Sequence, residues 1–382
     1  MLNEIDKDMD KFYFGKHQER KIVFLSMLSC MTQKPVHTIL TGVSSVGKSE
    51  MLKTCSRYLP KDCYNEFTRI SPTALNRYMS EDKDFTWNHK ILSITELSGA
   101  EQASDVLRVL MSEGQSRALI TEKMKSGETV VIDYQINGTP TLITTTANEK
   151  IEHQFANRCL LIEISFEKSE LQKIVRFIAE CNTSSKKIEP SSAILKLVQK
   201  LKPFNVEIPY AKQIGEFWTA NFPRSTRDIV NFFGLIRAHT VLNQENRKVV
   251  NKTLIAEKDD YEVCRTFFTT LNRNSFVGSL TYKDRNYLNA ITEIAEHTTY
   301  TKIDKNGKEN KLNGATIEDV METVGVSSPT AFKYLGDMVD KGLLIQHKRF
   351  SGRERQPFVY TLAFNSISNQ LPTYDKLLEG NK

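Results

Sequence analysis

The sequence predicts an α/β domain on a parallel sheet with a glycine-rich turn after its first sheet strand, then an all-helical stretch, then a smaller unit of helices and hairpins. Three observations carry this. Short apolar runs alternate with helical periodicity up to about residue 166, residues 40–52 read LTGVSSVGKSEML, and residues 168–270 keep helical spacing throughout. At 382 residues the chain exceeds one ordinary domain of roughly 100–200 residues. The expected units are 1–166, 167–275, 276–368 and a tail at 369–382.

Residues 16–32, KHQERKIVFLSMLSCMT, set Val23, Leu25, Met27 and Leu28 at helical spacing, and PVHTILT reads as a short buried strand. The glycine-rich turn then opens a helix. EFTRI, residues 66–70, is the second strand; in SPTALNRYM, Ser71 suits an N-cap and Pro72 a first helical position. Ile91, Leu92 and Ile94 form a strand expected beside the one that precedes the turn, delivering Glu96 to the C-terminal edge of the sheet. EQASDVLRVLMSEG is a helix with Ala103, Val106, Leu107 and Leu110 on its core face. Residues 118–139 alternate as a hairpin around KMKSGE. PTLITTTANEK is another buried strand with Asn148 past its end, and Arg158 precedes a further strand in QFANRCLLIEIS.

LQKIVRFIAEC, SAILKLVQKL and STRDIVNFFGLIRAHTVLNQ are helices of a lid. In the last unit KDRNYLNAITEIAEH is a helix, YTKIDKNGKENKLNG a polar linker or hairpin, and TIEDVMETVG and SSPTAFKYLGDMVDKG a tight helix pair. LLIQHKRFSGRERQPFVYTLA closes it as a basic hairpin, the order of a winged helix-turn-helix.

Gly42, Gly47, Lys48 and Ser49 fit G-x-x-x-x-G-K-[ST], the P-loop, and its place between strand and helix adds the helix dipole to the phosphate site. Gly42, Ser45, Val46, Gly47 and Lys48 are therefore expected to cradle ATP, with Ser49 ligating Mg²⁺. Hydrolysis also needs a group that orients the attacking water. Glu96 is the candidate, with Asn148 placed to help hold that water or the γ-phosphate. Arg158 stands where it could reach the γ-phosphate of a neighbouring subunit, and Arg227, with Arg224 as rival, could touch phosphate from the lid. The plainer alternatives are a solvated acid, a turn residue, a surface cation and helix-start scenery. Many P-loop ATPases place Asp before the catalytic Glu; here it is Thr95, which brings no charge to the metal.

In that order, GVSSVGKS, ILSITE, TEKMKSGETV, LITTTAN, FANRCLLIEI, STRDIVNFFGLIRAHT and IAEKDDYEVC resemble the AAA+ core of MCM-type helicases, nearest to the compact MCM-like self-loading replication helicases of bacterial mobile elements. The resemblance covers about residues 15–270. It implies an α/β P-loop NTPase (AAA+) core with a helical lid and a C-terminal winged helix-turn-helix domain. It assigns Lys48 and Ser49 to Walker A, Glu96 to Walker B, Asn148 to sensor 1, Arg158 to the arginine finger and Arg227 to sensor 2. Residues 120–131 become the pre-sensor 1 hairpin. Residues 72–90 leave little room for the helix-2 insert of that family, and its large N-terminal collar has no counterpart here.

The resemblance implies an ATP-dependent helicase on single-stranded and forked DNA, acting as a homo-oligomer, expected as a hexamer, with a primase or initiator as possible partner. Lys123 and Lys125 at the hairpin tip suit a grip on backbone phosphates. Lys333 in the second helix of the helix pair and Lys348, Arg349, Arg353 and Arg355 in the wing favour phosphate contact over base reading. Two rivals stay open: an ATP-regulated origin-binding initiator or loader that separates no strands, and a nucleotide-gated transcription regulator. A formal charge of +6 is only mildly basic, so polyanion contacts must be local. Six scattered cysteines without C-x-x-C read as buried free thiols in a reducing compartment. An acidic start without a signal-peptide pattern, and no run near the roughly 18 apolar residues of a membrane span, predict a cytoplasmic protein without membrane contact.

Overall fold

The structure is a computed structural model that describes residues 1–80, 85–123, 127, 129–147, 151–183, 188–218, 225–275, 282–303, 309–340, 343–351, 354–362 and 371–379. Its first half runs α1 (Leu2–Met9), α2 (His17–Leu28), β1 (Thr38–Thr41), α3 (Lys48–Ser56), β2 (Tyr64–Phe67), α4 (Pro72–Ser80), β3 (Ile91–Ile94), α5 (Ser104–Glu113), β4 (Gln115–Lys123), β5 (Thr129–Asn137), β6 (Thr141–Thr145), α6 (His153–Ala156) and β7 (Leu160–Glu163). Five parallel strands form the central sheet in the order β2-β3-β6-β1-β7. Such a sheet must be covered on both faces, and β1, β3 and β6 are accordingly buried along their whole length, whereas the edge strand β2 is not. Leu40, Ile143, Leu160 and Ile162 face a core shared with α1, α2 and α3, whereas Ile39, Leu142, Leu161 and Leu92 face one shared with α4, α5 and α6. The expected α/β P-loop class is therefore the observed one.

His37, just before β1, ties three elements beneath this sheet. Its Nδ1 accepts from the Leu142 amide at 3.2 Å, so Nε2–H is the donor to the Met111 carbonyl at 3.3 Å. Burial pulls its pKa down from 6.5 to about 4, the Met111 contact opposing only in part.

The second half continues with α7 (Lys168–Cys181), α8 (Ser192–Val198), β8 (Asn205–Glu207), α9 (Ala211–Phe217), α10 (Ser225–Leu242), β9 (Val249–Val250), β10 (Thr253–Ile255) and α11 (Lys258–Ser275). α10 and α11 share the core of α1, α2 and α3 through Phe232, Leu235, Tyr261 and Cys264. A buried knot joins them: Asp260 accepts from Arg247 Nε and Nη2 at 2.9 and 2.8 Å and pairs with His239 Nδ1 at 2.6 Å. The rest is α12 (Tyr282–His297), β11 (Thr299–Ile303), β12 (Glu309–Asn313), α13 (Ile317–Val324), α14 (Ser328–Asp340), β13 (Leu344–Ser351), β14 (Glu354–Leu362) and α15 (Tyr374–Glu379). α12 to α14 close a separate core around Tyr287, Leu335, Met338 and Tyr360.

Several expectations are corrected. β3 does not lie beside β1, because β6 pairs with both. β2 starts at Tyr64 and ends at Phe67 rather than spanning 66–70, its four residues being those that pair with Ile91–Ile94. The stretch 168–270 is not wholly helical: β8, β10 and β9 make a small sheet whose strands of two or three residues are too short to show a period. α1 was not anticipated, although Leu2, Ile5 and Met9 share its buried face. Within the expected tail, α15 packs back onto α9 and α11: Leu377 is fully buried, the Tyr374 amide donates to Glu262 at 2.6 Å, and Tyr261 Oη donates to the Pro372 carbonyl at 2.7 Å. Of YTKIDKNGKENKLNG, the described residues on either side of 304–308 pair as antiparallel strands β11 and β12. All six cysteines are free, five of them buried.

Candidate functional site: the phosphate loop and its cavity

Residues 42–47 turn the chain from β1 into α3, and two glycines are imposed by their surroundings. At Gly42, with φ 141°, a Cβ would lie 2.3 Å from the Ile164 carbonyl oxygen, because the end of β7 passes against the loop. At Gly47, with φ 84°, a Cβ would lie 3.2 Å from Tyr13 Oη. Ser45 also takes a left-handed conformation, φ 65°. Successive amides of such a turn at a helix N-terminus form an anion cradle. Lys48, the first residue of α3, is buried, and its Nζ donates to the carbonyls of Gly42 at 2.7 Å and Val43 at 2.8 Å. Burial lowers its pKa, and the negative charge of Glu96 works against that shift.

Glu96 follows β3 and is exposed at the C-terminal edge of the sheet. Its position is set from both sides through Thr95: the Thr95 amide donates to the Phe67 carbonyl at 3.0 Å, and the Thr95 carbonyl accepts from Thr145 Oγ1 at 2.8 Å. The Thr95 hydroxyl itself points to the Phe67 carbonyl at 3.4 Å, a weak bond. Although β6 intervenes, Glu96 is near enough for its charge to be felt at Lys48. Asn148, at the end of β6, lies outside the described residues.

Ser49 is exposed in the first turn of α3. Among the described residues no group of three or more His, Cys, Asp or Glu could hold a metal ion. The chemistry fits Mg²⁺ as a partner of phosphate, and the Ser49 hydroxyl is the protein oxygen that would hold it.

Beside the loop opens a cavity of about 620 Å³, within the range of about 300–1,000 Å³ for small-molecule sites. Its walls come from the aromatic residues 12–14, the phosphate loop, residues 163–166 at the end of β7, and Leu171, Ile174, Phe177 and Ile178 of α7. α7 starts with a reciprocal capping box between Glu167 and Glu170 and buries no residue; Leu171 and Ile178 stay 51% and 54% exposed. It is held to the N-terminal segment by the Lys16–Glu170 ion pair at 3.2 Å and by Phe14 and Phe177, whose centroids are 6.1 Å apart. The sequence reading missed this wall. FYF before GK was its only signal, since the apolar face of α7 looks like that of any amphipathic helix.

Arg158 does not face the cavity. It donates from Nε to Ser112 Oγ at 3.0 Å and from Nη1 to the Gln154 carbonyl at 2.7 Å, before β7 on the α5–α6 side. Arg227 is exposed in the first turn of α10, and Arg224 lies outside the described residues. The β4–β5 hairpin has nine-residue arms in full antiparallel register, and Lys123 closes the first arm opposite Thr129. Lys125 and Arg353 lie outside the described residues, whereas Arg349 and Arg355 occupy β13 and β14. Lys333 and Lys348 are exposed on α14 and β13. α14 also exposes Phe332, at 55%, and Asp337, so the outward side of that helix is not a basic surface. Among the described residues no helix is long and apolar enough to cross a membrane.

A family model described as the MTBMA_p00010 P-loop domain matches residues 2–199. No curated protein matches the chain. Among solved structures, the Aeropyrum pernix ORC1 protein in complex with DNA aligns over 94% of this chain and 93% of its own, at 12% identity and a TM-score of 0.28. Similarity that low transfers neither residue roles nor activity.

Proposed function

We propose that this chain, which belongs to the MTBMA_p00010 P-loop domain family, is an ATP-driven DNA helicase of the AAA+ type that works as a homo-oligomeric ring, hexameric by its resemblance to MCM-type helicases. Its setting is the replication of a mobile element or phage. The place of Glu96 at the C-terminal edge of the sheet, with its charge felt at Lys48 of the phosphate loop, supports an ATP-hydrolysing site best. Lys48 leaves the carbonyls of Gly42 and Val43 for the outer phosphates, while loop amides hold the phosphate chain. Mg²⁺, when bound, neutralises phosphate charge, and Ser49 is the residue that would hold it. Glu96 orients the water, helped by Asn148. Arg158 of one copy reaches the γ-phosphate held by its neighbour, and Arg227 touches phosphate from the lid.

The work falls to the β4–β5 hairpin, inserted between α5 and β6, whose Lys123 and Lys125 grip the DNA backbone. Lys333, Lys348, Arg349, Arg353 and Arg355 add phosphate contacts on the fork. The second reading, an ATP-regulated initiator or loader without unwinding, is favoured by Thr95: an uncharged residue there suits slow turnover and ATP-driven assembly. The test is ATP-dependent strand displacement on forked duplexes with opposite single-stranded tails. Displacement from one polarity supports the motor, whereas DNA-stimulated hydrolysis without displaced strand supports the loader.

A further inference from the structure

We propose that Tyr13 is a positioning residue of the nucleotide site: its hydroxyl stands against Gly47 to hydrogen-bond the phosphate chain of a bound nucleotide, and buried Arg20 fixes where it stands. This rests on the reading of residues 42–49 as a nucleotide cradle. Three independent observations meet here.

The first is contact. A Cβ built on Gly47 would meet Oη, Cε2 and Cζ of Tyr13 at 3.2, 3.3 and 3.6 Å, so the ring edge lies directly on the loop. Tyr13 also lines the cavity.

The second is an unmet donor. Tyr13 is 5% exposed, and its hydroxyl has no hydrogen-bond partner among the described residues. Buried hydroxyls are nearly always paired, because leaving one unpaired costs the desolvation of the group. The carbonyls of Gly42 and Val43 already accept from Lys48 Nζ. Burial also pushes the phenol above its ordinary value of 10, so the group is a proton donor at any working pH. A phosphate chain, rich in acceptors and without donors of its own, is the complementary ligand.

The third is an anchor. Arg20 is fully buried in α2 and donates from Nη1 to the Tyr13 carbonyl at 2.7 Å. Its other donors reach Asp6 Oδ1 at 3.0 Å, the Asp6 carbonyl at 3.1 Å and Asp10 Oδ1 at 2.7 Å. Gly15 and Lys16, at φ 63° and 52°, then turn the chain into α2. The backbone at Tyr13 is thus fixed from both ends of the segment, which rotamer freedom alone would not achieve.

The experiment is calorimetric titration of the full chain with ADP and with adenosine, comparing wild type and Tyr13→Phe, with thermal unfolding of both proteins without nucleotide. Tyr13→Phe keeps the ring against Gly47 and removes only the donor. The expected result is ADP binding weakened about 5- to 10-fold, as one hydrogen bond allows, with adenosine affinity unchanged and the thermal midpoint equal or higher. Unchanged ADP affinity, an equal loss for ADP and adenosine, or a lowered midpoint would overturn the proposal while leaving the cradle intact. Wild-type protein that binds no ADP would overturn the cradle reading and this proposal with it.

Discussion

Replacing His37 by Gln should flatten the acid limb of the stability profile of this protein. The imidazole is 6% exposed and held neutral between the Leu142 amide and the Met111 carbonyl, with its pKa lowered from 6.5 to about 4. The folded value lies below the unfolded one, so the contribution is complete above about pH 7 and is lost as pH falls toward 4. Linkage between those two values gives a loss of about 2 kcal/mol by pH 5 and roughly 3 kcal/mol once both forms are protonated. Gln offers an acceptor and a donor but does not titrate. Urea unfolding at pH 7.5 and at pH 5 reads the difference, and the carboxylates common to both proteins cancel. The wild type should lose about 2 kcal/mol more than His37→Gln between these pH values. Equal losses would refute the assignment of His37 as a buried neutral strut.

Lys48→Ala should weaken ATP binding by at least about 10- to 100-fold, since charge-assisted hydrogen bonds are worth about 1.5–3 kcal/mol; fluorescent-nucleotide titration checks it, and a loss below threefold counts against the cradle. Arg158→Ala should leave ATP affinity unchanged and lower turnover by about 10³-fold; equal steady-state hydrolysis would remove its role at a neighbouring site. Arg20→Ala should destabilise by about 3–5 kcal/mol, because nearly buried Asp6 would lose its closest full cation and keep only His17 at 2.9 Å and Lys21 at 3.8 Å. Thermal melts give the number, and a loss under 1 kcal/mol would mean that Asp6 finds water. Leu377→Ala should cost about 2–5 kcal/mol if α15 is part of the core shared by α1, α2, α3, α10 and α11; a silent change would return residues 371–379 to the status of a tail.

What was legible in the sequence follows from how local the cause is. GVSSVGKS could be read because its residue types at fixed spacing sit in eight consecutive residues, although the close approaches at Gly42 and Gly47 come from Ile164 and Tyr13. Strands within PVHTILT and KILSI could be read because burial on both faces leaves a short run without charged residues. Strand order could not: nothing in ILSITE says that β6 will separate it from β1, since that pairing joins residues about 50 apart in sequence. The cavity wall was missed for the same reason. Phe14 and Phe177 meet only after the sheet and α7 have formed, and α7 carries the amphipathic pattern that packing against any core would produce. Two-residue strands such as Val249–Val250 carry no period at all.

Single-turnover hydrolysis of ATP by wild type and Glu96→Gln tests the central claim most directly. With Lys48 and Glu96 as one site, the variant should bind ATP as tightly as wild type and hydrolyse it at least about 100-fold more slowly, the scale of a lost general-base contribution. Equal rates in the two proteins would mean that Glu96 is a solvated acid after a strand and that the catalytic site lies elsewhere.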